Sequence, residues 1–289
     1  MVFCFFIFTG INPEEKIRLA EIKYKQFLED YFTATWGETI LYSHDIDHHR
    51  RVWYYAKELL AEISAAGEDI DLGLPGKLLI ASYLHDLGMS IDPGIRHGRL
   101  SRELGKSFLK TNNLHESEYF DVLNVIEHHD DKEYKTSGST NNQLHRILSA
   151  ADDLDAFGYV GIYRYFEIYL VRGIQPEIVG YEIRENALKR YRNLVATFGN
   201  YVGLIERHRK RFLLLDDFLT KYNRQIEDFP FNQKNSLDYV NIIDFITWMI
   251  HDKIPPCKIE SEYYGFSSDE AINNFIEQLS SELRELITP

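Results

Sequence analysis

The sequence contains little cysteine and no long apolar run, and each shortage excludes a class of protein. Cys4 and Cys257 are the two cysteines, and no CxxC pair occurs. This excludes a disulfide framework and favours a reducing, cytoplasmic compartment. The apolar run at residues 2–8 is far shorter than the roughly 20 residues of a membrane-spanning helix. Because no Lys or Arg precedes it, we expect a short buried strand or docked segment there, with no signal peptide and no membrane function.

Positive charge is also scarce. The chain has 32 Lys and Arg against 45 Asp and Glu, which gives a net charge of -13. Such a surface repels the phosphate backbone of nucleic acids, so duplex DNA or RNA is not an expected partner. A small phosphorylated substrate is still compatible with this charge, because a bound divalent metal would supply a local positive field.

Sustained two-residue alternation between hairpin turns is absent, and helical periodicity dominates instead. Helices are predicted at 12–32, 43–65, 77–87, 98–111, 115–129, 141–157, 160–172, 178–198, 200–226, 236–251 and 268–287. Residues 131–142 and 252–267 are rich in turn-forming residues and are predicted to be an exposed loop and a linker. We therefore predict an all-α protein with a lead segment over 1–35, a core over 36–165 and a helical C-terminal extension over 166–289.

Two predicted helices bring histidine or aspartate to apolar surroundings. In LLIASYLHDLG, an apolar helix ends with His85 and Asp86, and burying either side chain is costly unless it is paired or binds a metal. In HDIDHHRRVWYYAKELL, His48 lies on the apolar face that continues through Val52, whereas His49 lies off that face. Each pattern has a plainer explanation, because a lone histidine could cap its helix or bond a backbone carbonyl.

A third segment, ILSAADDLDAFG, places Asp152 and Asp155 beside an apolar stripe and is expected to direct Asp153 towards solvent. Three helices thus offer two histidines and two aspartates facing inwards. A mixed set of imidazole and carboxylate ligands suits a divalent ion such as Mn, Mg, Fe, Co or Ni better than it suits a thiolate-binding metal. Few protein ligands leave positions open for water and a phosphate oxygen, which favours hydrolysis.

The order H…HD…D on successive helices resembles the HD superfamily of metal-dependent phosphohydrolases. Its ligand motifs match His48 in HxxRV, the doublet His85-Asp86, and Asp152 in ADxLDAxG. The resemblance implies an HD-domain helical bundle in which these four residues hold a divalent metal. It also implies hydrolysis of a phosphoanhydride or phosphoester bond in a small phosphorylated substrate, expected to be nucleotide-like.

Longer stretches resemble a bacterial subgroup of nucleoside triphosphate pyrophosphohydrolases. These are HDxxHxRRVW and DxLDAxGxxGxxR, the second of which ends at Arg164. The resemblance covers roughly residues 40–165. It departs from the subgroup at one place, since Ala150 stands where the subgroup usually has an acid two residues before the ligand aspartate.

Further side chains near the motifs are candidates for catalysis and substrate binding. Asp86, His128 and Asp92 are the candidate catalytic residues. Asp86 is expected to act in catalysis as well as in metal binding, His128 to act at the substrate phosphate, and Asp92 to act as a general base. For Asp92, an Asx turn before Pro93 is the alternative. Substrate contacts are predicted for Arg51, Arg96, His97, Arg99 and His129.

Two other functions fit the same residues. His97 and the pair His128-His129 follow the order in which phosphodiesterase branches of the superfamily hold a second metal, so a two-metal cyclic-nucleotide phosphodiesterase is one alternative. A non-catalytic HD regulatory binding module is the other. The region from residue 166 carries no recognisable motif and is expected either to cap the pocket or to form a homodimer.

Overall fold

Helices make up most of the computed structural model, which describes residues 12–130, 143–228, 237–263 and 267–287. These residues form twelve α-helices and no strand, so the predicted all-α fold is confirmed. The helices are α1 (Pro13–Trp36), α2 (Ile46–Ala65), α3 (Leu74–Leu84), α4 (His97–Thr111), α5 (Phe120–Glu127), α6 (Gln143–Asp155), α7 (Gly158–Val171), α8 (Pro176–Phe198), α9 (Val202–Asp228), α10 (Asp238–His251), α11 (Ile259–Tyr263) and α12 (Glu270–Ile287). The apolar run at 2–8 and the loop predicted at 131–142 lie outside the described residues.

Side-chain caps fix the start of the first two helices. The Asn12 side chain accepts a hydrogen bond from the Glu15 amide at 2.8 Å, one turn into α1. Asp45 does the same for α2, because its carboxylate accepts from the amides of Asp47 and His48. A cap at this position gives free amides of the first turn an acceptor and starts the helix at a defined residue. It therefore sets the first turn of α2, in which His48 lies.

Helix α2 is covered on more than one side, since it packs against α1, α3 and α6. The face predicted to be apolar is buried, with Val52, Tyr55, Leu59 and Ile63 each at most 2% exposed. The prediction that His49 lies off the buried face is wrong, because that side chain is fully buried. Its Nδ1 lies 2.9 Å from the carbonyl oxygen of Ser82 in α3, which covers the side that the sequence pattern assigned to solvent.

The C-terminal helices pack against the helices that precede them. Helices α8 and α9 pair with each other, α7 contacts α9, α10 and α12, and α12 reaches back to α2. The boundary predicted between residues 165 and 166 falls inside α7, and the division into three regions stays a prediction. Within the stretch 252–267, which was predicted to be a linker, the described residues 252–263 include a 3-10 turn at Pro256–Lys258 and the short helix α11. Among the described helices, none is long and apolar enough to cross a membrane.

The junction between α6 and α7 is held by side chains from the C-terminal half of the chain. The Glu282 carboxylate on α12 accepts hydrogen bonds from the amides of Tyr159 and Val160, at 2.6 and 3.1 Å, in the first turn of α7. Arg211 on α9 pairs with Glu282 at 2.6 Å and donates to the carbonyl of Leu154 at 2.8 Å. Two distant helices therefore fix the end of α6, which carries the motif aspartates.

Candidate metal centre

The structure brings together the four side chains that the motifs single out. They are His48 on α2, His85 and Asp86 directly after α3, and Asp152 on α6. One ligand atom from each lies within 4.8 Å of the others, and all four side chains are buried. The Nε2 atom of His48 lies 3.3 Å from Nε2 of His85 and 3.6 Å from Oδ2 of Asp86.

The hydrogen bonds of the two imidazoles leave unprotonated nitrogens facing each other. Nδ1 of His85 lies 3.0 Å from the Ser82 carbonyl, and Nδ1 of His48 lies 2.8 Å from the Asp155 carboxylate. These oxygens only accept, so each Nδ1 carries the proton, and a neutral imidazole then has a lone pair on Nε2. Burial lowers the pKa of His48, which favours this neutral form.

Arg164 supports the same tautomer of His48, because its Nη2 lies 3.3 Å from Nε2 and a guanidinium can only donate. The cluster therefore presents two nitrogen lone pairs and the carboxylates of Asp86 and Asp152. Acceptors gathered in a buried space require a cation or protons to offset their repulsion. The donor set, with imidazole and carboxylate together, fits a divalent metal ion.

Arg51 and Asp155 form a buried ion pair behind His48. Nε and Nη2 of Arg51 lie 2.8 and 3.1 Å from the two oxygens of Asp155. Burial raises the pKa of Asp155, but Arg51 and then Arg164 outweigh it and hold that pKa well below the ordinary value. The placement does not support the predicted substrate contact by Arg51, since its guanidinium is directed at Asp155. Through Asp155, Arg51 instead orients the imidazole of His48.

The carboxylates of Asp152 and Asp153 both pair with the same arginine. Nη1 of Arg190 on α8 lies 3.1 Å from Oδ2 of Asp152 and also pairs with Asp153. Burial raises the pKa of Asp152, but Arg190 and Arg164 outweigh it and hold that pKa well below the ordinary value. The expectation that Asp153 faces solvent is wrong, because it is 2% exposed. Helix α8 packs on α6 and supplies the charge that Asp153 needs.

A second group of ligands adjoins the first and shares Asp86 with it. Nε2 of His129 lies 3.0 Å and Nε2 of His97 lies 3.4 Å from Oδ1 of Asp86, while Oδ2 of Asp86 faces the first group. Nδ1 of His97 donates to the Gly94 carbonyl at 2.7 Å, and Nδ1 of His129 donates to the Ile126 carbonyl at 2.8 Å. The three side chains could hold a second metal ion, with Asp86 as the bridge. His97 and His129, predicted as substrate contacts, thus lie among the ligands.

The adjacent histidines 128 and 129 have different surroundings. His129 is 3% exposed and points into the second group. His128 is exposed, and its Nδ1 lies 2.9 Å from the Asn124 carbonyl one turn earlier. The structure therefore does not bring His128 to the site, and its predicted phosphate contact is unsupported by this placement. Helix α5 ends at Glu127, and the turn that follows directs only the second histidine inwards.

Three other predicted residues lie away from the ligands. Asp92 accepts from the Gly94 amide at 2.8 Å in an Asx turn and pairs with Arg96 at 2.6 Å. This is the alternative that the sequence allowed, and both of those partners draw the carboxylate away from a role as general base. Arg96 and Arg99 are exposed, and neither lines the cavity at the ligands.

A cavity of about 130 Å³ opens onto both ligand groups. Besides Asp86, His97 and Asp152, its wall includes residues of α7 and α8, namely Arg164, Tyr165, Tyr169, Arg172, Asn186 and Arg190. The sequence allowed the region from residue 166 to cap the pocket, but it identified none of these side chains as part of the wall. Arg164 had a signal, because it ends a recognised motif. Arg190 and Asn186 had none, because they lie more than thirty positions after Asp152 in an unremarkable helix.

Comparison with protein-family models matched residues 45–156 to the HD domain family. No curated protein and no solved structure matched the chain. The matched segment contains His48, His85, Asp86 and Asp152, the four side chains of the first ligand group. The match and this geometry together support membership of the HD superfamily, whose domains bind divalent metals and are generally metal-dependent hydrolases.

Proposed function

We propose that this protein is a metal-dependent phosphohydrolase that cleaves a phosphoanhydride or phosphoester bond of a nucleotide-like small molecule. The observation that carries the proposal is the buried group of His48, His85, Asp86 and Asp152. Two of these side chains, Asp86 and Asp152, line a cavity whose wall also includes three arginines. A bound divalent ion would lower the pKa of water and polarise a phosphoryl group.

The chain's own residues divide the remaining tasks. Asp155 holds His48 in the ligand orientation. Arg164 is fixed by a 2.9 Å hydrogen bond from its Nε to the Ser43 carbonyl, and with Arg190 it brings positive charge to the cavity where phosphate oxygens would lie. Positive charge at this place stabilises the negative charge that develops on the phosphate oxygens as the bond to the leaving group breaks.

His97 has two possible tasks, which depend on how many metal ions bind. Burial lowers its pKa, but a hydrogen bond to Asp130 and the charge of Asp86 outweigh this and raise it. If the first ligand group alone is occupied, His97 lies on the cavity wall without a metal, where its Nε2 is placed to pass a proton to the leaving oxygen. With both groups occupied, the same nitrogen is a ligand.

A two-metal cyclic-nucleotide phosphodiesterase is the second candidate. It is favoured by a specific observation, namely that the two oxygens of Asp86 face different ligand groups. Asp86 could serve both groups, His48, His85 and Asp152 the first, and His97 and His129 the second. Two divalent ions held there would supply the charge that stabilises the attacking and leaving oxygens of a phosphodiester.

A substrate panel with metal analysis tests both candidates. The chelated protein would be given Mn, Mg, Fe, Co or Ni and assayed on nucleoside triphosphates, nucleoside monophosphates and cyclic nucleotides, with the bound metal counted by elemental analysis. We expect turnover to return with at least one metal. Two ions per chain with selective cleavage of cyclic nucleotides would favour the phosphodiesterase. Metal binding without cleavage of any of these compounds would favour the regulatory binding module.

A further inference from the structure

A tyrosine in the cavity wall has a hydroxyl that finds no partner within the part of the chain that the structure describes. Tyr165 on α7 is 4% exposed and lines the cavity together with Asp86 and Asp152. Its hydroxyl makes no hydrogen bond to any residue that the structure describes. A buried hydroxyl that has lost its water and gained no partner is unfavourable, and such groups are rare in folded proteins. Its position on the cavity wall indicates that a bound molecule supplies the partner.

The surroundings of Tyr165 indicate the chemistry of that molecule. Burial raises the pKa of Tyr165, so its hydroxyl keeps the proton and can donate it in a hydrogen bond. The cavity wall has three arginines and three carboxylates, so a divalent ion bound at Asp86 and Asp152 leaves the cavity with a net positive charge. An uncharged hydroxyl that donates a hydrogen bond in a cavity of net positive charge favours an anionic oxygen of the bound molecule as its acceptor.

Helix α8 fixes one of these arginines beside Tyr165. Nε of Arg190 donates to Oδ1 of Asn186 at 3.2 Å, and Nδ2 of Asn186 donates to the Tyr169 hydroxyl at 2.9 Å. Nη1 of the same arginine pairs with the aspartates of α6. The guanidinium is thereby held at both ends, which is the rigidity expected of a side chain that positions an anion.

We propose that Tyr165 and Arg190 form a phosphate subsite, in which the Tyr165 hydroxyl donates a hydrogen bond to a phosphoryl oxygen of the substrate. The proposal rests on the proposed phosphohydrolase function and adds to it a determinant of substrate binding. Both residues lie beyond residues 45–156, so the subsite would come from the part of the chain that the HD domain match does not cover.

Binding of inorganic phosphate to the Mn-loaded protein, measured by calorimetry, tests the subsite without requiring turnover. The variant is Tyr165→Phe, and the matched control is Tyr55→Phe. Tyr55 is also buried and its hydroxyl also has no partner among the described residues, but it does not line this cavity. Losing a hydrogen bond to a charged oxygen should weaken phosphate binding about tenfold in Tyr165→Phe. Tyr55→Phe should bind like the wild type, and both variants should keep their metal and their melting temperature.

Each result decides the question. The subsite is disproved if Tyr165→Phe binds phosphate as tightly as the wild type, or if the wild type binds none. Equal weakening in Tyr165→Phe and Tyr55→Phe would also overturn it, because the effect would then arise from packing. If phosphate binding depends on Tyr165 but no compound of the panel is hydrolysed, the subsite stands and the proposed hydrolase fails.

Discussion

Three of the four histidines in the two ligand groups share one local arrangement. His85, His97 and His129 each direct Nδ1 to the backbone carbonyl three residues earlier, at 3.0, 2.7 and 2.8 Å. A carbonyl can only accept, so the backbone itself sets the tautomer and leaves Nε2 free for a ligand. His48 differs, because its Nδ1 bonds the Asp155 carboxylate. A carboxylate that accepts the Nδ1 hydrogen bond makes the imidazole a stronger electron-pair donor to a metal than a neutral carbonyl acceptor does.

Adjacent aspartates allow a matched test of the metal site. Asp152→Ala removes a side chain of the ligand group and should lose both bound metal and turnover. Asp153→Ala should keep the metal, because Asp153 contacts Arg190 and is not part of the ligand group. Since Arg190 would lose one buried carboxylate, the second variant should be less stable by about 1–3 kcal/mol. Metal content, initial rate and thermal unfolding in chelator separate the two. Retention of metal by Asp152→Ala and its loss by Asp153→Ala would reverse the assignment.

The buried pair of Arg51 and Asp155 predicts a dependence of stability on pH. Because the folded-state pKa of Asp155 is depressed, the pair stabilises the fold above the ordinary carboxyl pKa of about 3.9. That stabilisation is lost as the pH falls below this value towards the folded-state pKa. Arg51→Met should therefore cost roughly 3 kcal/mol at pH 7, and the difference from wild type should shrink near pH 3.

Urea unfolding in chelator at the two pH values measures this difference. The control is Arg50→Met, which removes the same group from a side chain that is 39% exposed and pairs with Glu29 and Asp47. Exposed pairs contribute little, so the control should lose no more than about 1 kcal/mol at pH 7. An Arg51→Met deficit of equal size at both pH values would show that Asp155 does not carry the effect.

At the scale of the helices, sequence periodicity predicted most elements but not which helices are covered on two sides. The pattern around His48 and around Asp152 gave one apolar face for each helix, and those faces are buried. It also placed His49 and Asp153 on the solvent-facing side of their helices, but both side chains are buried. A single-faced pattern describes a helix with one neighbour, whereas α2 and α6 each have several. Polar residues on the additional buried faces of these helices form hydrogen bonds or ion pairs with residues far away in the sequence, and a local pattern does not reveal those partners.

The α6–α7 junction predicts a specific coupling between two residues. Gly158 has φ 75°, and an added Cβ would lie 2.2 Å from Oε1 of Glu282. Gly158→Ala should therefore cost about 1–2 kcal/mol for the backbone and more for the clash. Glu282→Ala should cost about 1–3 kcal/mol, because two α7 amides lose their acceptor. The double variant should lose less than the sum of the two, since removing Glu282 relieves the clash.

Gly173 provides the control for this cycle. It has φ 79°, but an added Cβ would meet no atom of the described residues within 4 Å. Gly173→Ala should show the backbone cost alone, and its effect should add to that of Glu282→Ala within experimental error. Thermal unfolding of the single and double variants gives the coupling. Strict additivity in both cycles would mean that Glu282 does not restrict position 158.

At the scale of the whole molecule, the candidate site depends on helices far apart in the sequence. The ligand set could be predicted from motifs, because His48, the doublet at 85–86 and Asp152 each stand in recognisable local surroundings. The residues of the cavity wall could not be predicted from motifs. Arg190 and Tyr165 reach the ligands only through the packing of α7 and α8 on the preceding helices. The periodic pattern of a helix shows that one face is buried, but it does not show which other helix covers that face. The ligands were thus predictable and the binding surface was not.

This arrangement predicts that metal binding stabilises the C-terminal helices as well as the ligand helices. Free metal at 100 times its dissociation constant stabilises the folded state by about 2.7 kcal/mol, which corresponds to a rise in melting temperature of about 5 °C for a chain of this size. Helix α10 carries Trp248 and packs on α7, α9 and α12, all outside the ligand groups. If the helices unfold as one unit, Trp248 fluorescence should report the same shift as the far-UV signal.

The measurement uses the variant Trp36→Phe/Trp53→Phe, which leaves Trp248 as the single tryptophan. Melting curves followed by fluorescence and by circular dichroism should coincide in chelator and should move together when Mn is added. Asp152→Ala in the same background is the control and should show no shift with metal. A Trp248 transition that stays in place while the far-UV transition moves would show that the C-terminal helices unfold independently. Because α7 and α8 supply the cavity wall, the packing between the two halves would then be too weak to hold Tyr165 and Arg190 against the ligands, and the phosphate subsite would be the first property to lose its support.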